Sequence, residues 1–397
     1  MNKNLKEIKL SEICEIQSGY SFKSKNFNKE NGYRVIRISN VQKGMIIDKR
    51  PIFINDIKND YKRFRLKEND ILVSLTGDVG RVGKINFNLL PAVLNQRVAR
   101  LHKINSEKVD IDYLYHFLNS DFFEKKMIER SKGVAQLNLS PKEILESTIY
   151  LTSLNEQKRI VKKLDTCMEQ IDKAIQNVEQ NIKNAEELFQ SYLNKILLSE
   201  NDGWLMTSIG KVANIVNGGT PKTSIMDYWS GDILWITPKD MGKLDSIYVS
   251  DTSRKITELG LKKSSAKLLP KNSIILSSRA PIGHLAINTE PISTNQGCKG
   301  IVPGEQIESK FLYYFLLCNV KLLNDLGVGT TFKELSMSKL SNIEISLPER
   351  DIQQKIINEI DGIKIQTEQL KNNYQNELIS LKELKKSILE KAFNGEL

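Results

Sequence analysis

The sequence predicts an α+β protein of two tandem-repeat globular domains separated by two long helices, the helices pairing as an antiparallel coiled coil in a pseudo-two-fold relation. Three observations carry this. The second half of the 397 residues restates the first at an offset near 200, each half ends in some forty residues with apolar side chains at near-heptad spacing, and excess positive charge alternates with balance along the chain. The length exceeds the roughly 250–300 residues at which a single core stops growing, so more than one domain is required.

The first domain, residues 1–150, mixes short β-rich runs such as VIRIS and ILVSL with turn signals and a helical pattern, DYLYHFLNSDFFEKKMIE (112–129). Strand-like and helical runs do not alternate regularly, which favours α+β over a doubly wound sheet. Residues 201–350 repeat this domain block by block. LSEICEIQSG (10–19) runs beside IGKVANIVNG (209–218), VIRISN (35–40) beside LWITPK (234–239), and NDILVSLTGDVGRVG (69–83) beside NSIILSSRAPIGHLA (272–286). PAVLNQ (91–96) then matches PISTNQ (291–296), and YLYHFL (113–118) matches FLYYFL (311–316). Matching blocks in one order define an internal repeat.

Residues 151–200 and 351–397 are the long helices. From residues 139 and 335 onward the offset settles at 196 without a gap. Apolar or small residues at 160, 164, 167, 171, 174 and 178 recur at 356, 360, 363, 367, 370 and 374, with Thr367 the polar member. Spacing by threes and fours makes a helical seam. At ~1.5 Å per residue each helix spans roughly 65 Å. A stripe that long, without a turn, has little globular core to face, so each helix is expected to pair with the other. Helices that each close a repeat run antiparallel under a two-fold relation.

Residues 1–150 carry 27 basic and 18 acidic side chains and residues 201–350 carry 17 and 14, whereas 151–200 and 351–397 each carry 7 and 8. The excess positive charge behind the net +10 therefore resides on the globular domains and points to a polyanionic partner. No stretch approaches the ~20 apolar residues of a membrane span. The opening MNKNLKEIKLSEICEI has lysines without an apolar run after them, and a cytoplasmic protein is expected. Cys14, Cys167, Cys298 and Cys318 lie far apart with no CxxC pair, so reduced, packed thiols are expected rather than disulfides or a zinc site.

Catalytic motifs are missing. GDVGRVGKI (77–85) would need glycine at Asp78 and Ser or Thr at Ile85 to be a phosphate loop. His102, His116 and His284 have no metal-ligand spacing. The Asp-x-x-Glu-x-Lys of DFFEKK (121–126) falls in a helical, charge-rich stretch, and neither an amino-methyltransferase tetrapeptide nor a GxSxG elbow is present. Nothing in the letters assigns catalysis, a cofactor or a metal to this chain.

The most specific sequences open the helices, LTSLNEQKRIVKKLD (151–165) and LPERDIQQKIINEID (347–361), and close the chain, ILEKAFNGEL (388–397). With these, the chain resembles over essentially its whole length the specificity (S) subunit of a type I restriction-modification system. The copies differ at Thr152 against Pro348 and at Glu156 against Ile352, but each keeps its glutamine, Gln157 or Gln353, and the apolar pair that follows. The resemblance implies two target-recognition domains, residues 1–150 and 201–350, each reading one half of a bipartite site in double-stranded DNA. It implies that the helices act as spacer and as docking surface for two methyltransferase subunits. Those partners would carry S-adenosylmethionine and methylate adenine N6, and motor-nuclease subunits would complete a restricting enzyme. This chain would supply the address and none of the chemistry. A rigid spacer suits that task, since half-sites one or more turns (~34 Å each) apart must be met in register. A nonspecific gap of several base pairs is expected between them.

Reading bases calls for Arg on guanine and Asn or Gln on adenine, whereas phosphates take Lys, Arg, hydroxyls and backbone N–H groups. Such residues lie in loops after strand-like runs in both repeats: Tyr20, Lys23 and Lys25 with Thr220 and Lys222; Arg37 and Asn40 with Lys239; Arg81 with Arg279; Gln96 and Arg97 with Gln296 and Lys299. KNDYKRFRLK (58–67) adds Lys62, Arg63 and Arg65 as a phosphate-contact patch or, equally, a solvated face. The repeated Asn-Gln pair either reads bases or holds its loop. Features common to two domains with different targets are scaffold rather than code, so Gly80 and Gly283 are read as structural and the unshared Tyr20, Arg81, Lys222 and Arg279 as readout. The competing reading is a non-catalytic coiled-coil scaffold joining two protein-binding domains, which would show no salt-dependent DNA binding.

Overall fold

A computed structural model describes residues 5–55, 59–133, 137–198, 203–279, 281–329, 333–394 and 396–397. It divides into two compact units, Met1–Glu179 with Gln375–Leu397, and Gln180–Tyr374.

In the first unit the strands Glu15–Ser18, Val98–His102, Ile71–Ser74 and Val82–Lys84 form an antiparallel sheet in that order. A second sheet runs Phe53–Ile54, Tyr33–Ile36, Ala92–Leu94 and Arg65–Leu66, with 92–94 parallel to 33–36 and antiparallel to 65–66. All four residues of Ile71–Ser74 are buried, so its apolar run reflects a strand covered on both faces. The helical pattern over 112–129 resolves into Ile111–Leu118 and Asp121–Arg130, with Asp110 and Ser120 accepting first-turn N–H bonds as N-caps.

The second unit repeats the plan. Ala213–Asn217, Cys298–Pro303, Ile274–Ser277 and Leu285–Asn288 keep the order, and Tyr248–Val249 adds a fifth strand parallel to the last. Arg254–Ile256, Trp229–Ile236, Ile292–Thr294 and Leu268–Leu269 rebuild the second sheet. In both units a short ladder, Lys6–Lys9 on Thr148–Leu151 or Leu205–Ser208 on Glu344–Leu347, ties the first strand to the one that leads into the long helix.

The long helices are Leu154–Leu197 and Arg350–Phe393, each of 44 residues. Within the first unit they run antiparallel: Lys385 pairs with Asp172 at 2.5 Å, and the Arg159 guanidinium donates to the Leu397 carbonyl at 2.7 Å. Within the second they do the same, through Lys371 on Glu186 at 2.5 Å and the Tyr192 hydroxyl on Glu359. Ile160, Leu164, Ile171, Val178 and Ala185 are buried as the seam requires. The second helix departs from it at Leu370, which is 40% exposed, while the neighbouring Lys371 is half-buried and holds Glu186.

Each globular core is completed by both helices. Ile160, Leu164 and Met168 from the start of the first helix, with Leu389, Ala392 and Phe393 from the end of the second, pack into the first unit. The Phe393 ring stands edge-on to Tyr113 and Phe117 at 5.2 and 5.4 Å between centroids. Ile356, Ile357 and Ile360, with Leu193 and Leu197, complete the second. The glutamine common to both helix openings is a fully buried clamp. Gln157 donates to the Thr152 and Lys108 carbonyls and accepts from the Asp110 N–H. Gln353 treats Pro348, Gln306 and Glu308 identically.

Candidate nucleic-acid interface

The candidate loops of each repeat converge on one point, the turn that carries the Asn-Gln pair. In the first unit Asn95 N–H donates to the Ile36 carbonyl (3.1 Å), Gln96 N–H to Tyr20 (2.8 Å), and Leu75 N–H to Arg97 (2.9 Å). One turn thereby gathers the segments around 18–25, 37–40 and 76–81. In the second, Asn295 N–H bonds the Ile236 carbonyl, Gly219 N–H that of Thr294, and Ser278 N–H that of Gly297, each at 2.8 Å. Gly19 and Gly218 allow the approach, because a Cβ on either would lie 2.0 Å from the Asn95 or Asn295 carbonyl oxygen. The adjoining turn is also built twice. Ser74 donates to the Asp78 carbonyl and accepts from Arg81 N–H, and Ser277 does so with Pro281 and His284. Gly80 and Gly283 occupy left-handed φ values of 77° and 112°, each with a helix side chain against it.

On this common frame the side chains differ. Lys23, Lys25, Lys62, Arg63, Gln96 and Arg97 are exposed in the first unit, as are Lys222, Lys239, Arg279 and Gln296 in the second. Arg279 is held by Glu334 at 2.6 Å. Tyr20 is half-buried in an aromatic group with Phe22, Tyr61 and Phe64, its hydroxyl 3.0 Å from that of Tyr61. Arg81 is half-buried between Asp78 and Gln42. Arg37 bonds the Arg50 carbonyl, Arg65 lies over the Tyr33 ring, and the Thr220 hydroxyl accepts from Asn295.

Two expectations are corrected. Asn40 is 4% exposed, and its amide is spent on Arg37 N–H, the Ile47 carbonyl and Asp48. Lys299 is also 4% exposed, bonded to Asn217. Burial pushes its ammonium below the usual lysine value, against Glu334 and with Arg279. Neither side chain faces outward. Within the Asn-Gln pair the roles separate: Asn295 braces Thr220 and Gly297 N–H, while Gln96 and Gln296 point to solvent. The sequence also gave no sign of Arg254, stacked 3.6 Å over the Trp229 ring, or of Arg100 inside the first domain.

The other chemical candidates are structural. Lys84 is bound by Asp112 and lies 4.5 Å over the Tyr115 ring, away from any phosphate-loop role. Asp121 and Glu124 both pair with Lys43. All four cysteines are free, and burial pushes the Cys14, Cys298 and Cys318 thiols up to about 12. Among the described residues no group of three His, Cys, Asp or Glu could hold a metal ion, and no helix is long and apolar enough to cross a membrane.

Two copies of one mixed domain, each closed by a long helix and each presenting the same loop cluster with different side chains, define a two-headed repeat protein. The chain belongs to the type I restriction modification DNA specificity domain family, whose model matches residues 2–184 and again 201–379. It is 39% identical over 190 residues to the type I restriction enzyme MjaIX specificity subunit of Methanocaldococcus jannaschii, a match spanning 47% of this chain and 41% of that relative. It is 25% identical over 431 residues to the EcoBI specificity subunit of Escherichia coli, across 98% and 85% of the two chains. A chain from a structure of complex assembly and conformational transition in the type I R-M system shares the fold, with TM-score 0.78 and 22% identity over 100% of this chain and 99% of that one.

Proposed function

We propose that this chain is the DNA-specificity subunit of a type I restriction-modification complex, in which each globular domain reads one half of a bipartite site. The observation that carries the reading is the pair of loop clusters: one hydrogen-bonded frame, built twice, bearing Tyr20, Arg81 and Arg97 in one copy and Lys222, Lys239 and Arg279 in the other. A shared frame with different polar groups is what two readers of different half-sites need. Methyltransferase subunits, carrying S-adenosylmethionine, supply adenine-N6 methylation, and motor-nuclease subunits supply cleavage, in the cytoplasm. Docking of two methyltransferase subunits falls to the outer helix faces, where Ile379 and Leu384 in the first unit and Leu188 and Ile365 in the second remain exposed although apolar.

A protein that touches 6–10 phosphates loses affinity steeply with salt, log K falling by about 0.9 per contact for each tenfold rise in salt. Anisotropy titration of a labelled duplex with the full chain and its methyltransferase partner, from 50 to 300 mM salt, is expected to show a slope of about −5 or steeper. A flat response would support the protein-binding scaffold instead.

A further inference from the structure

The first domain carries a basic concavity that its repeat lacks. It lies along the Val98–His102 strand, where the Arg65–Leu66 and Ile71–Ser74 strands begin, and has a volume of about 560 Å³. Its cations are Lys62, Arg63, Arg65, Lys67, Arg100 and Lys103. Two carboxylates near them are engaged, Asp70 by Arg100 at 3.0 Å and Glu15 by Lys103 at 2.9 Å. Arg100 also donates to the Arg63 and Arg65 carbonyls and to Gln17, and Gln17 donates to the Arg63 carbonyl, so the 59–66 segment is fixed to the strand that leads into Tyr20. The Nε–H groups of Arg65 and Arg100 are buried without a hydrogen-bond partner among the described residues. Cations that outnumber the carboxylates beside them focus positive potential outward.

Sheet register identifies the same positions in the second domain. Arg65 and Leu66 occupy the places of Leu268 and Leu269, and Arg100 and Leu101 those of Gly300 and Ile301. Following those strands, Lys62, Arg63, Lys67 and Lys103 correspond to Ser265, Ala266, Pro270 and Pro303. All six lining cations are replaced by uncharged residues, the lysines of the second segment, Lys262, Lys263, Lys267 and Lys271, standing at other positions, and Leu269 packs over Gly300 where Arg100 would project.

Resting on the DNA-specificity reading, the geometry points to an accessory phosphate-backbone site in the first domain alone, so that the two domains grip their half-sites unequally. The occupant is the sugar-phosphate backbone of duplex DNA leaving the loop cluster. Continuity with Tyr20, through its hydroxyl contact with Tyr61 next to Lys62, puts the cations on the path of a strand already held by the loops. Exposed Lys62, Arg63, Lys67 and Lys103 suit sequence-independent phosphate contact.

The test exchanges two exposed cations for their own second-domain counterparts, Lys62→Ser with Arg63→Ala, in the full chain with its methyltransferase partner. The probe is a 30-base-pair duplex of arbitrary sequence. If the site holds two phosphates, the salt slope becomes shallower by about 1.8 and affinity at 0.1 M salt falls roughly tenfold or more, with the melting temperature and methyltransferase assembly unchanged. Wild-type binding that the double variant leaves unaltered in slope and affinity overturns the site. Unaltered DNA binding with weakened subunit assembly overturns it in favour of an acidic protein partner. A wild-type complex that shows no salt-dependent binding at all overturns the parent reading, an outcome distinct from both.

Discussion

Replacing Phe393 with alanine lowers the stability of the first unit by about 3–5 kcal/mol, the range for emptying a buried phenylalanine site. The residue lies in the last turn of the second long helix, some 280 positions along the chain from the rings it packs against. Its ring fills a space walled by Tyr113 and Phe117, two of the largest fully buried side chains of that core. The loss therefore appears as faster hydrogen exchange in the Val98–His102 strand and the Ile111–Leu118 helix, with the Cys298–Pro303 strand of the second unit unaffected. Equal loosening of both units, or none, would show that the C-terminal turn does not belong to the first core.

The second large effect is at Gln353. A change to leucine keeps much of the volume but strands the Glu308 N–H and the Gln306 and Pro348 carbonyls, all bonded by this one amide in a fully buried site. At ~1–3 kcal/mol for each buried group left unpaired, less what leucine gains by burial, the second unit is expected to lose about 4 kcal/mol. The exposed neighbour Gln354, changed in the same way, is expected to cost within about 0.5 kcal/mol. Urea titration followed by Trp229 and Trp235 fluorescence reports on the second unit. Comparable losses for the two glutamines would remove the clamp from the account.

The repeat, the two helices and the recurring Asn-Gln pair were legible because each rests on a periodicity or on letters that recur in one order, whereas the convergence of the other loops on that turn came only with the structure. Solvent exposure was not. Lys299 sits in a strand buried at its first four positions, so alternation between faces gives no clue to which side meets water. Asn40 reads as a base-contacting amide until the carbonyl of Ile47 and the carboxylate of Asp48 are seen to occupy it. The glutamine of the helix opening was visible as a motif, but its three partners come from segments about forty-five residues away as well as from its own turn. The seam at Leu370 failed for a related reason: a 3–4 pattern fixes a stripe on one helix, while pairing with the other decides whether Leu370 or Lys371 turns inward.

The measurement that bears most directly on the central claim is single-molecule mapping of N6-methyladenine in cells expressing this chain with its methyltransferase partner, compared with cells expressing the partner alone. A DNA-specificity subunit with two reading domains gives a bipartite motif, two specified half-sites about a gap of several unspecified base pairs, present only when this chain is present. A soluble complex that leaves no such motif, or methylation identical with and without the chain, would contradict it.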